Sequence, residues 1–309
     1  MNMLRRIFRG LAICVAMLPF QGCLTVKVHR PVNNRLAKAK SAPMMATKEE
    51  LEGRIAKLNE QIGSFVETVD MTPSTGSVYK GEITEYRDIR GYILYRRPSD
   101  IRIVGQYPVV RSTLFDMSSS GADFRAYIAS KNRFVVGENA APLASANKLE
   151  NLRPEIFLES MLVRPVDRAK ESTMLFDFSD EDHSFYMLLF FGNLANGGSI
   201  PLRSVWFDRL DLSIIRQVTY SPNSNTISDT RYSEWDTFSG VPFPKKIDIN
   251  RPVDGFGVVL VYVDMKMNTP ITDQQFVLNQ PAGTTLHVIG HPSEIPPQPA
   301  ASTPSKNQK

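Results

Sequence analysis

The stretch that decides the fold is residues 202–252, "LRSVWFDRLDLSIIRQVTYSPNSNTISDTRYSEWDTFSGVPFPKKIDINRP", in which short alternating runs are broken by turn residues. In "SVWFD" Val205 and Phe207 fall on one side of an extended chain, and Trp206 and Asp208 on the other. In "RQVTYS" Val218 and Tyr220 share one side, with Gln217 and Thr219 opposite. A period of two gives each strand one dry face. Asp211, the cluster 221–225 and Ser239-Gly240 separate the runs by about eight to twelve residues, the spacing of antiparallel neighbours in a barrel or sandwich.

Outward from that stretch the same style continues. Upstream lie "SVYKGEITEYR", "GYILYRRP", "DIRIVGQYP", "RSTLFDM", "ADFRAYIA" and "RFVVGE", each short, rich in β-branched or aromatic residues and bounded by turn formers. "TMLFDFS" and "SFYMLLFFG" lead into it, and "GVVLVYVDMKM" and "QQFVLN" follow. Strict alternation in "GVVLVYVDMKM" puts Val259, Val261, Val263, Met265 and Met267 on one face. Two helical stretches interrupt the strands. After Thr47, which has capping-box spacing to Glu50, Leu51, Ile55, Leu58, Ile62, Phe65 and Val69 recur at alternating intervals of four and three. That stripe predicts an amphipathic helix packed on the sheet. In "NLRPEIFLESMLV" Pro154 suits a first helical turn, and Ile156, Phe157, Met161 and Leu162 supply an apolar side. The expected body is mainly β: one large antiparallel sheet with two or more amphipathic helices over its apolar face, undivided across 48–291.

Composition bounds the partners. The chain has 309 residues, 42% of them hydrophobic and 22% charged, ordinary values for a globular protein with a real core. The first 47 residues hold eight positive charges and no acid, and residues 292–309 add one more. The overall +4 therefore conceals a body at −5. A body that acidic argues against nucleic acid, because phosphate backbones are bound by clustered Lys and Arg.

Residues 1–22 read as an export signal: a basic start, an apolar run from Leu11 to Phe20 and Gly22 directly before Cys23. The run is shorter than the roughly 20 residues of a membrane-spanning helix. The residues before Cys23 resemble the lipobox of bacterial lipoproteins, which implies cleavage before Cys23 and a diacylglyceryl group on its thiol as the link to membrane lipid. Cys14 lies inside the leader, so the mature chain keeps Cys23 alone and forms no internal disulfide. By resemblance to lipoprotein sorting in Gram-negative bacteria, Leu24 after the cysteine implies the outer membrane, with the body facing the periplasm. Residues 23–47 read as a flexible basic tether, and 292–309 as a disordered Pro-rich tail.

Catalytic signatures are absent: the chain has no P-loop, no "GxSxG" elbow, no "HExxH" helix and no dinucleotide fingerprint. Asp180, Glu181, Asp182 and His183 gather possible metal ligands, but an acidic hairpin turn explains them better. The expectation is a non-enzyme with neither cofactor nor metal.

Three motifs resemble the bacterial lipoprotein carriers of the LolA/LolB family, over roughly residues 47–289. "LYRRP", with Arg97-Pro98, is similar to the Arg-Pro that ends an early strand. "SSSGADFRAYI" is similar to the turn and aromatic strand that follow. "MNTPITDQQFVLNQPAG" is similar to the closing strand and its Pro-x-Gly. The resemblance implies an incomplete, unclosed β-barrel with helices across its mouth and an apolar cavity for an acyl chain or a lipoprotein's lipid. It also implies that Arg97 helps hold a lid. By its order in the chain, "VGQYPVVRS" resembles the protruding loop that places lipid into the membrane, which makes Tyr107, Val109 and Val110 membrane-contact candidates. Val109 and Val110 equally suit the start of the next strand. A filled core, serving as a docking module of an envelope protein complex, satisfies the same periodicity as an open cavity.

Overall fold

A computed structural model describes residues 42–77, 79, 81–140, 153–179, 184–194 and 197–293. The leader, Cys23, the acidic cluster 180–183 and the tail beyond 293 lie outside the described residues. Helix α1 (Lys48–Gln61) is followed by β1 (Ser64–Ser77), β2 (Glu82–Glu85), β3 (Ile89–Arg96), β4 (Asp100–Gln106), β5 (Thr113–Ser120), β6 (Asp123–Ile128) and β7 (Arg133–Glu138). Helix α2 (Pro154–Met161) then precedes β8 (Glu171–Ser179), β9 (Ser184–Asn193), β10 (Ser199–Asp208), β11 (Ile214–Tyr220), β12 (Thr226–Phe238), β13 (Val241–Arg251), β14 (Phe256–Met267) and β15 (Thr285–Ile289).

All the strands join one sheet. Its order is β15-β7-β6-β5-β4-β3-β1-β14-β13-β12-β11-β10-β9-β8, with β2 paired to β1, so two meanders meet at β1–β14 and the ends stay apart. The sheet is an unclosed barrel. It curls, because α2 packs against β4 and β5 and also against β13, strands well separated in that order. One pairing departs from the antiparallel expectation: β15 runs parallel to β7. The reason lies in the preceding residues, which cross the outer face of β3–β6 before reaching the edge. Side chains alternating with the core residues Ile93, Ile101, Met117 and Phe124 hold that crossing strap by its carbonyls. Arg96 donates to Ile271 O (3.0 Å), Arg102 to Gln275 O (2.9 Å), Ser118 to Phe276 O and Arg125 to Leu278 O (3.4 Å). "QQFVLN", expected as a strand, is therefore a 3-10 turn at Asp273–Phe276 with an extended continuation.

The helices begin where the sequence places them. Thr47 and Glu50 form the reciprocal capping box, and Pro154 occupies the first turn of α2. The stripe expected to run through Val69 breaks at Gln61, however, and Phe65 and Val69 are core residues of β1. A spacing of four fits one face of a helix and one face of a strand alike, so those two positions could not mark the boundary. Within α1, Leu51 and Ile55 are fully buried, each worth about 1.5–3 kcal/mol against leaving it in water.

Two faces differ from the alternation. In β11, Gln217 pairs with inward-facing Val205, and Val218 pairs with Ser204 on the outer side. Gln217 points inward because α2 ends there: its Nε2 donates to Glu159 O (3.0 Å), and the Tyr232 hydroxyl donates to Ser160 O (2.8 Å). A helix end buried from water needs such donors. In β14, Val258, Leu260 and Tyr262 are core residues, and so are Met265 and Met267. The switch from even to odd positions follows from a bulge opposite Thr68/Val69, where Val263 has no partner. One extra residue exchanges the two faces of the remaining strand.

Glu67 on β1 is 2% exposed, neither of its carboxyl oxygens has a hydrogen-bond partner, and the buried Tyr262 hydroxyl also lacks one. Burial pushes the Glu67 carboxyl well above its ordinary 4.5. The folded state then keeps a proton that the unfolded chain releases, so Glu67 costs stability as pH rises through that ordinary value and toward the folded one. Melting temperatures followed from about pH 4 to 8 should fall less for Glu67→Gln than for the natural chain. Parallel curves would show that Glu67 does not hold its proton in the folded state.

Candidate functional site: an apolar cavity at one end of the sheet

Antiparallel order gathers the end of β1, the start of β3, the end of β4, the start of β5, the end of β13 and the start of β14 at one end of the sheet. There a cavity of about 890 Å³ opens, walled by Met71, Ile89, Leu114, Phe115, Phe256 and Val258, with Phe157 of α2 against it. Its polar neighbours, among them Ser74, Thr75, Arg87 and Asp88, are few. The placing of two wall residues has a cause in the sequence. Deeper in the sheet the inward positions of β3 and β4 carry Ile93, Ile101 and Ile103, all fully buried, but toward the cavity they carry Gly91 and Gly105. Met71 and Phe115 lie flat over those glycines: a Cβ at Gly91 would stand 2.2 Å from Met71 Cε, and one at Gly105 2.4 Å from the Phe115 ring. Met71 and Phe115 fill the space that a Cβ at either glycine would take, and both stand in the cavity wall.

The turn after β4 forms part of the wall. Tyr107, Pro108, Val109 and Val110 line the cavity, yet Val109 is 92% and Val110 72% exposed. Bonds from Tyr107 N to Ser112 O (3.1 Å) and from Arg111 N to Tyr107 O (3.0 Å) close the turn. The two valines therefore do not begin β5, which starts at Thr113.

Arg97 lies at the other end of β3 and does not line this cavity. Its guanidinium donates to the carbonyls of Asn59 and Ile62 (3.0 Å to Ile62), at the C-terminal end of α1. A helix terminus leaves such carbonyls open. Asn59 and Ile62 also border a gap of only about 30 Å³ between α1, α2 and the sheet, with Met161, Tyr232 and Phe243. Arg96, the neighbour, turns outward to Asp100 (2.6 Å) and Asp273 (2.7 Å). The two adjacent arginines thus have separate duties, one to α1 and one to the strap.

A second, polar cavity of about 520 Å³ lies between the β5–β6 turn and the ends of β10–β12, beside the first turn of α2. Arg153, Arg164, Arg203 and Arg251 line it together with Glu155 and Glu159. Burial pulls the Arg203 guanidinium down to about 10, partly countered by Glu171 at 3.0 Å. It stacks over the Phe190 ring at 3.8 Å. Sequence reasoning singled out none of these arginines, nor Gly91 and Gly105. The one available signal was glycine inside a strand pattern, which marks a close approach. Among the described residues no group of three side chains could hold a metal.

An unclosed sheet curled around a helix, with an apolar cavity open at one end, is a fold with a counterpart among solved structures. The chain is similar to a LolA superfamily protein from Nitrosomonas europaea, with a TM-score of 0.50 and 16% identity, covering 76% of this chain and 99% of that one. It is also similar to a DUF1329 family protein from Desulfovibrio piger, with a TM-score of 0.49 and 15% identity, covering 81% and 98%. No family profile matches the sequence, and no curated protein matches it. The fold is LolA-like.

Replacing Val109 and Val110 together by serine should change stability by no more than about 0.5 kcal/mol, the usual range for exposed positions. Chemical denaturation measures it. A loss near 3 kcal/mol, the scale of two buried valines, would mean that the turn is packed in solution.

Proposed function

We propose that this chain is a non-catalytic lipid carrier of the bacterial envelope that holds an acyl chain in the 890 Å³ cavity. One observation carries the reading: a cavity walled by Met71, Ile89, Leu114, Phe115, Phe256 and Val258 opens at one end of the inward face. Each methylene moved from water into such a space is worth about 0.8 kcal/mol, and apolar lining with few polar groups is what an alkyl chain requires. That openness favours a carrier over a docking module with a filled core. In this reading Cys23 carries the anchor, the outer membrane holds it, and the body faces the periplasm. Tyr107, Val109 and Val110 meet the membrane or the partner that gives or takes the lipid, since exposed apolar residues at a cavity rim mark a contact surface. Arg97 keeps α1 seated as a lid over the helix-to-helix gap, which widens when α1 moves.

Fluorescent fatty-acid titration, with native mass spectrometry of the purified chain, tests the cavity. Ile89→Trp, which adds bulk at the wall, should weaken uptake about tenfold or more while costing only the roughly 1–3 kcal/mol typical of overpacking. Uptake unchanged by Ile89→Trp, or no uptake by the natural chain, would rule out this cavity as the acyl site. Cys23→Ser should release the protein from the outer-membrane fraction, and continued lipid-mediated fractionation there would overturn the anchor assignment. For the lid, Arg97→Leu should alter the rates of lipid uptake and release with little loss of melting temperature. Unchanged rates would remove Arg97 from the mechanism.

A further inference from the structure

We propose that the arginine-lined cavity reads the head of the same ligand, so that the chain's cargo is an amphiphile with a phosphate head, bound by Arg164 and Arg203. The inference rests on the reading of the apolar cavity as an acyl site and adds what the other end of the molecule must be.

Contiguity is the first support. Ile156 lines the polar cavity and Phe157, the next residue of α2, lines the apolar one. Arg251 and Phe256 are direct partners across β13–β14 and line the polar and the apolar cavity respectively. Directly opposed residues share a face of the sheet, so the two cavities neighbour one another across a single cross-strand pair.

Unmet donors are the second support. Arg203 is 3% exposed; its Nη2 donates to Glu171 (3.0 Å) and Pro165 O (3.3 Å), while Nε and Nη1 have no acceptor. A buried donor without a partner is costly, and an oxyanion is the acceptor that matches a guanidinium fork. Arg153, at the N-cap of α2, is held by Glu138 O (2.7 Å) and the Phe124 ring (4.7 Å) and serves as a wall, and the first turn of the helix faces the same cavity. The positive end of the helix therefore adds to the guanidinium groups. Arg251 is engaged by Asp254 at 2.5 Å and serves as a wall. Glu155 and Glu159 also line the cavity, but no side-chain atom of theirs is buried without a partner. The imbalance is one of donors, which is why the head is an anion. Phosphate offers several oxygens to arginines on different elements, where a carboxylate offers two.

Three probes of equal chain length separate the contributions: hexadecanol, hexadecanoate and hexadecyl phosphate, titrated calorimetrically against the full chain carrying Cys23→Ser. Hexadecyl phosphate should bind about tenfold to a hundredfold tighter than hexadecanol, the value of one charge-assisted contact. Arg164→Gln changes an exposed side chain, and it should erase most of that preference while leaving hexadecanol affinity and melting temperature as they were. Inorganic phosphate should compete with hexadecyl phosphate and not with hexadecanol. Equal affinity for all three probes overturns the head site and leaves the acyl reading standing. Hexadecanoate binding as tightly as hexadecyl phosphate overturns the choice of phosphate. Inorganic phosphate bound where hexadecyl phosphate is not would make the cavity a site for the free anion and overturn the proposal. Failure of every alkyl probe overturns both the head site and the acyl reading.

Discussion

The structure depends on how a short helix is held inside a curled sheet. The last carbonyls of α2 need donors: Ser160 is buried, and leaving its carbonyl bare would cost about 1–3 kcal/mol. Gln217 and Tyr232, from neighbouring strands, supply their donors. With that end fixed, Ile156 and Phe157 stand between two cavities of opposite character. Apolar burial alone would not choose the helix's position along its axis, because hydrophobic contact is non-directional. The two side-chain hydrogen bonds do choose it.

The outer surface is organised by a comparable rule. Arginines on strands that face water on one side have nothing to bury, yet Arg96, Arg102 and Arg125 each find a carbonyl of the strap. Arg102 is also matched by Asp116 at 2.8 Å, which raises its affinity for its proton. The strap covers the convex face of β3–β6 and delivers β15 to the free edge of β7, an edge that would otherwise invite another chain. The opposite edge, β8, ends in Asp177 and Ser179, and both receive bonds from Arg209.

Arg209 also fixes where the chain enters the body. Met44 N donates to Arg209 O (2.7 Å), and Arg209 Nε donates to Met44 O (3.0 Å). Arg209 follows the end of β10, and strand order puts that end opposite the cavity mouth. Met44 therefore meets the body at the end away from Val109 and Val110.

The sequence by itself determined the elements and their class. Period-two runs, turn residues, the Thr47 cap and Pro154 are local chemistry, and local chemistry is legible in one dimension. It also set Arg97 beside a proline just past the end of a strand. It could not place the end of α1, because Phe65 and Val69 satisfy both periods. It could not show the bulge at Val263 or the inward turn of Gln217, since each answers a partner far away in the chain. The site was legible only at its rim, in Tyr107, Val109 and Val110. The cavity wall is a matter of packing: Gly91 and Gly105 read as weak points in strands until the fold sets Met71 and Phe115 over them. Tertiary structure alone decided that these positions face inward at the same end, because volume is fixed by what several strands fail to fill together.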